Sequence, residues 1–172
     1  MRKISLLALS LIVLAPSVAA SQEPTNLDEL VLRRGVYLQR PTFEPYSGPV
    51  VGRNEDGLLR ERGTLREGRW EGVREIFFET GQLAVRETYS EGRLDGPFES
   101  YFRMGSPSDR GSYRDGRLDG PYESYWLRQL AERGTWSEGE MCGEWVHYFP
   151  ASSYGRRVET AETFPACPAG SD

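Results

Sequence analysis

The run Arg93-Leu94-Asp95-Gly96-Pro97-Phe98-Glu99-Ser100-Tyr101 returns 24 positions later as Arg117-Leu118-Asp119-Gly120-Pro121-Tyr122-Glu123-Ser124-Tyr125. A short fixed period implies a stacked repeat protein, in which each unit buries its apolar surface against its neighbours. Two glycine rows carry the same period. Gly48, Gly72, Gly96 and Gly120 lie 24 apart and Gly143 follows after 23, while Gly68, Gly92, Gly116 and Gly139 repeat both the spacing and the deletion. The rows divide the chain into copies at residues 48–71, 72–95, 96–119 and 120–142, with a half copy at 143–150. The missing residue falls near Leu127 to Leu130, where the fourth copy lacks the turn glycine supplied earlier by Gly57, Gly81 and Gly105.

Each copy opens with an aromatic-rich run such as Val73 to Phe78 or Pro97 to Phe102, then turns, as at Glu79-Thr80-Gly81. An alternating run such as Leu58 to Leu65 or Gln82 to Tyr89 follows, ending in an acid–glycine pair: Glu67-Gly68, Glu91-Gly92, Asp115-Gly116 or Glu138-Gly139. Such pairs supply the positive φ angles of tight hairpin turns, so successive strands should be antiparallel neighbours. Glycine recurs too often, and no 3.6-residue period is sustained, for helix to form over the repeats. The expectation is an all-β fold, an elongated antiparallel hairpin meander in a single twisted sheet. About ten strands at about 4.8 Å each would make it roughly 50 Å long. Residues 21–47 read as a leader and amino-terminal cap, with a hairpin from Leu30 to Leu38; Pro41 and Pro45 then interrupt any strand. Residues 151–172 form a tail without period, with one last strand between Arg157 and Phe164.

The first 20 residues differ in kind. Arg2 and Lys3 precede an apolar run from Leu6 to Leu14, and Val18-Ala19-Ala20 offers small residues for a signal peptidase. Cleavage after Ala20 is expected, leaving an exported chain that begins at Ser21, periplasmic or secreted, with no cysteine there for lipid attachment. The apolar run is too short for a permanent membrane span. Without Arg2 and Lys3 the chain keeps 19 of its 21 basic residues against 26 acidic ones, a net charge of −7. That balance argues against nucleic-acid binding and against attraction to anionic lipid. Every basic residue after Lys3 is arginine.

Two cysteines, Cys142 and Cys167, in an exported chain favour one disulfide tying the tail to the last repeat; two unpaired thiols are the alternative.

The copies resemble the bacterial MORN-repeat-variant family, many of whose members are labelled YwqK-family antitoxins. Thr80-Gly81-Gln82-Leu83 matches the family's turn; Arg62-Gly63-Thr64-Leu65, Arg110-Gly111-Ser112-Tyr113 and Arg133-Gly134-Thr135-Trp136 match its second strand. Gly143-Glu144-Trp145-Val146-His147-Tyr148 matches the first strand of a further unit. The resemblance covers roughly residues 30 to 150 and implies an interaction module, with an antitoxin or immunity partner as its specific version. It departs from the turn motif at Met104-Gly105-Ser106-Pro107 and Arg128-Gln129-Leu130.

The candidate binding residues are an aromatic row, Phe77, Tyr101, Tyr125 and Tyr148, and a glutamate row on the same face, Glu75, Glu99 and Glu123. A second row, Phe78, Phe102, Trp126 and Phe149, is expected on the opposite face, because adjacent residues of a strand point to opposite sides. Both rows also suit purely structural cross-strand ladders. Arginines such as Arg86 or Arg110 on neighbouring strands are expected to pair with the glutamates. Evenly spaced glutamates lack the convergence of a calcium site, and the single histidine, His147, supports neither a triad nor zinc. No catalytic residue, metal or cofactor is expected. The expected function is binding of another protein; the alternative is an envelope glycan or lipid, held by the aromatic row.

Overall fold

The structure, a computed structural model, describes residues 23–149 and 158–168. The expected signal segment, residues 1–20, and its cleavage site lie outside these residues. Strand β1 (Thr25–Asn26) and a 3-10 turn (Leu27–Glu29) lead into β2 (Leu30–Arg33) and β3 (Val36–Gln39), a hairpin that forms its own two-stranded sheet. The chain then runs up and down through β4 (Gly48–Arg53), β5 (Leu59–Arg66), β6 (Arg69–Phe77), β7 (Leu83–Ser90), β8 (Arg93–Leu94) and β9 (Gly96–Tyr101). It continues through β10 (Pro107–Arg114), β11 (Arg117–Leu118), β12 (Gly120–Trp126), β13 (Gln129–Ser137), β14 (Glu140–Phe149) and β15 (Val158–Thr163).

All strands but β2 and β3 belong to one 13-stranded sheet, in chain order and antiparallel from β4 onward, with β1 added in parallel against β4. The segments β8 and β9 continue one another past Asp95, as β11 and β12 do past Asp119, so two of the thirteen lie off the main path. No α-helix occurs among the described residues, and none of their helices is long and apolar enough to cross a membrane.

The acid–glycine pairs build one long edge. Each sets its acid at φ 49–50° and its glycine at φ 74–89°, and Arg34-Gly35 of the cap hairpin does the same at 51° and 79°. Two consecutive positive φ angles twist the turn to match the right-handed twist of the strands. Glycine is needed at Gly68 for a second reason: a Cβ there would lie 2.4 Å from Val36 Cγ1. The turn glycines also stitch one hairpin to the previous one. Their N–H groups donate to the carbonyls of Tyr46, Trp70, Leu94 and Leu118, at 2.7–2.9 Å.

The opposite edge uses wider turns, with Gly57, Gly81 and Gly105 at φ 77–81°. Next to each turn one residue is extra on the returning strand: Arg60, Ala84, Ser108 and, in the fourth hairpin, Ala131. In that hairpin Leu127 (φ 49°) and Arg128 (φ 67°) close a two-residue turn between the paired residues Trp126 and Gln129. This is where the sequence loses its one residue. Two non-glycine residues at positive φ cost roughly 1–2 kcal/mol each, and Leu127 is largely exposed. Replacing Leu127-Arg128 by Asn-Gly should therefore stabilise the chain by about 1–2 kcal/mol, a rise of a few degrees in melting temperature.

The core at the amino-terminal end gathers Leu27, Leu30, Tyr46, Val50 and Leu65, with Tyr37 and Trp70 packed against them. Beyond this cap the sheet buries one of its own faces by laying rings across neighbouring strands. Phe98 meets Tyr113 at 4.8 Å, and Trp145 meets Trp136 at 5.3 Å, Tyr122 at 5.9 Å and Phe164 at 6.4 Å. Glycines on the adjoining strands make room. Phe98 is paired with Gly111 and Tyr122 with Gly134, and a Cβ on Gly134 would stand 2.2 Å from Trp145 Cδ2. Rings over a glycine restore packing that the missing side chain would otherwise forfeit. In the second copy the ring–glycine pair is replaced by Arg74 opposite Glu87. Arg74 bonds Glu61 Oε2 at 2.5 Å and Glu87 Oε1 at 3.1 Å and lies over the Trp70 ring at 4.6 Å, so this half-buried cation is paired on both sides.

Candidate functional site

The other face of the sheet is ionic. Strand register places Arg62 beside Glu75, Glu75 beside Arg86, and Arg86 beside Glu99. Glu99 is in turn beside Arg110, Arg110 beside Glu123, and Glu123 beside Arg133. The result is an unbroken row of alternating charge over seven adjacent strand positions, from β5 to β13. Val51 and Val146 end it.

The row is internally bonded. Arg62 Nε donates to Glu75 Oε2 at 2.5 Å, and Arg86 donates from Nε and Nη2 to Glu75 Oε1 at 3.1 and 2.8 Å. Arg110 pairs with Glu123, while Arg86 and Glu99 stand farther apart at 3.9 Å. Two residues along each acidic strand lies the predicted aromatic row. Tyr101 donates to Glu99 at 2.6 Å and Tyr125 to Glu123 at 2.5 Å. Guanidinium groups cover the rings: Arg62 over Phe77 at 5.4 Å, Arg110 over Tyr125 at 5.3 Å and Arg133 over Tyr148 at 5.8 Å. A planar fork can grip a carboxylate and cover a ring at once, which an ammonium cannot do. That gives the arginine-only composition a physical use on this face.

These contacts shift the acids. The Arg86 hydrogen bond, aided by Arg62, holds the Glu75 carboxyl below its ordinary value of 4.5 against the opposing effect of burial. The Tyr125 hydroxyl and then Arg110 do the same for Glu123. Burial first, then the bond to Glu123, raises the Tyr125 phenol; for Tyr101 the bond to Glu99 comes first. The unfolded chain therefore takes up protons at a higher pH than the folded chain at Glu75 and Glu123. The stability these carboxylates contribute is present above pH 4.5 and is lost as the pH falls through their lowered folded values. Glu75→Gln and Glu123→Gln should each flatten the decline of melting temperature below pH 4.5, as thermal denaturation across that range will read.

All seven predicted residues, Glu75, Glu99, Glu123, Phe77, Tyr101, Tyr125 and Tyr148, thus share one face, but Phe77, Tyr125 and Tyr148 lie under arginines rather than on each other. The second aromatic row is not the ladder of the opposite face. Phe78 lies under Arg103, Phe102 meets Trp126 edge-on at 6.2 Å, and Trp126 and Phe149 are at least half exposed. That row falls at strand ends and turns, and the true ring ladder runs through Phe98, Tyr122 and Trp145, two residues after a glycine of the first row. Three of the row's four arginines were also legible in principle, since Arg62, Arg86 and Arg110 each precede a row glutamate by 13 residues.

His147 lies on the ring face, with Nδ1 3.3 Å from Glu132 Oε1; its Nε2 is buried without a partner among the described residues. Cys142 and Cys167 are bridged, at an S–S distance of 2.07 Å. A bridged pair is compatible with an oxidising, exported location. No cluster of three or more metal-ligating side chains occurs among the described residues. The ionic face also holds two depressions. One, of about 370 Å³, lies over Arg110, Gly111 and Ser112 between Pro97 and Pro121. The other, of about 390 Å³, lies over Arg62, Gly63 and Thr64 between Pro49 and Val73, the same positions 48 residues earlier. No protein-family model matches the chain, and no curated protein matches it.

Proposed function

We propose that the chain is an exported, non-catalytic interaction module that binds another protein through the ionic face. The observation that carries this reading is the continuous Arg–Glu row flanked by Tyr101, Tyr125 and Tyr148. Tyrosine and arginine are the residues that dominate protein interfaces, because they offer large rigid contact area with polar tips. Its charges alternate and are largely paired within the row, so the face acts through pattern rather than net charge. By resemblance to the MORN-repeat variants, the specific version is an antitoxin or immunity partner, acting on a toxin outside the cytoplasm.

Immobilised chain should capture envelope protein in a way that protease treatment of the extract abolishes. Tyr101→Ser, Tyr125→Ser and Tyr148→Ser together should remove that capture while circular dichroism stays β-type. Capture that survives digestion would instead identify a glycan or lipid ligand. Capture undiminished in the triple variant would place the binding surface elsewhere.

A further inference from the structure

We infer that the partner of the ionic face is a second copy of this chain, docked face to face about a two-fold axis that runs parallel to the strands between β7 and β9. The inference rests on the reading of this face as a protein-binding surface and names what binds there.

The ionic face is ridged strand by strand. Strands β6, β9 and β12 each present an apolar residue, an acid and a ring, as in Val73, Glu75 and Phe77 or Pro97, Glu99 and Tyr101. Between them β7 and β10 present a hydroxyl and an arginine, as in Thr88 and Arg86 or Ser112 and Arg110. Acidic strands are therefore ridges and basic strands are furrows. The two depressions lie in such furrows, over β10 and over β5.

A half-turn about the proposed axis lays β7 on β9, β6 on β10 and β5 on β12 of the other copy. Every arginine then faces a glutamate: Arg86 meets Glu99, Arg110 meets Glu75, and Arg62 meets Glu123. The same operation sends ridges into furrows. Val73, 51% exposed, enters the depression over β10, and the exposed Pro121 enters the one over β5. Moving the axis by half a strand spacing would set arginine on arginine and ridge on ridge, so charge and shape select the same register.

Six strands at about 4.8 Å, three outward residues deep, give roughly 500 Å² per copy, and sheet twist limits the contact to this central part. A total near 1,000 Å² is at the low end for specific association, so a reversible dimer in the micromolar range that weakens with salt is expected.

Sedimentation equilibrium of the exported, disulfide-bonded chain tests this. A monomer–dimer equilibrium is expected, with Arg86→Glu and Glu99→Arg each weakening it by roughly tenfold or more through like charges across the axis. An equimolar mixture of the two variants should dimerise again, because the reversed charges then face each other, and such rescue also shows that both variants fold. Val73→Glu, at an exposed position, should abolish dimerisation with an unchanged dichroism spectrum. A chain that stays monomeric, a dimer indifferent to these changes, or a mixture without rescue would overturn the inference. If envelope capture remained sensitive to the tyrosine substitutions in that case, the wider reading would stand and only the self-partner would fall.

Discussion

Trp145→Ala is expected to lower stability by about 3–5 kcal/mol, the largest effect of any single truncation in this chain. Trp145 is 0% exposed. Its burial is supplied by Tyr122, Trp136 and Phe164 on three sides and by the bare backbone of Gly134, and its Nε1 donates to Thr135 O at 3.2 Å. Removing the ring leaves these three neighbours without their common partner. Gly134→Ala attacks the same contact from below, because the added Cβ would stand 2.2 Å from Cδ2. Overpacking of that kind costs about 1–3 kcal/mol. The two substitutions should be strongly non-additive: with the ring gone, Gly134→Ala should cost almost nothing. Urea denaturation of the two single variants and the double variant would measure this. Additive losses would mean that the ring does not lie over Gly134.

Loss of the Cys142–Cys167 bridge should cost about 3.5 kcal/mol, since it closes a loop of 25 residues. The bridge holds down the last strand. Gly143 exchanges backbone hydrogen bonds with Pro165 and Phe164, at 2.9 and 2.8 Å, and Phe164 covers one side of Trp145. Reduction, or Cys167→Ser, should therefore strip hydrogen-exchange protection from β15 and then from β14, while β4 to β9 keep theirs. Stability in a stacked array is passed between neighbours, so damage at one end should not melt the other at once. Uniform loss of protection along the whole sheet would contradict this and indicate a single cooperative unit.

Much of the fold was legible in the chain itself. A hairpin meander follows from the acid–glycine pairs, because glycine takes up a positive φ angle without steric cost at one of the two turn positions, and the described residues hold five turns of this kind, including Arg34-Gly35. The deletion near Leu127 was equally plain, although the structure alone shows that it produces a strained two-residue turn. Two cysteines leave one intramolecular pairing, and it is the one observed.

The candidate site was only partly legible. Glu75, Glu99 and Glu123 could be assigned to one face with Phe77, Tyr101 and Tyr125 by counting in twos, because no irregularity separates them within a strand. Counting fails across turns. The extra residues Arg60, Ala84, Ser108 and Ala131 shift the register of each returning strand, so which side chains meet there cannot be obtained from alternation.

Local sequence by itself determined the turns, the strand direction and the period, since these depend on backbone preferences within a few residues. Only the tertiary structure decided which rings are buried over glycine and that Arg74 and Glu87 replace such a pair. Those outcomes depend on register between strands, and register is settled by cross-strand packing that no single segment contains.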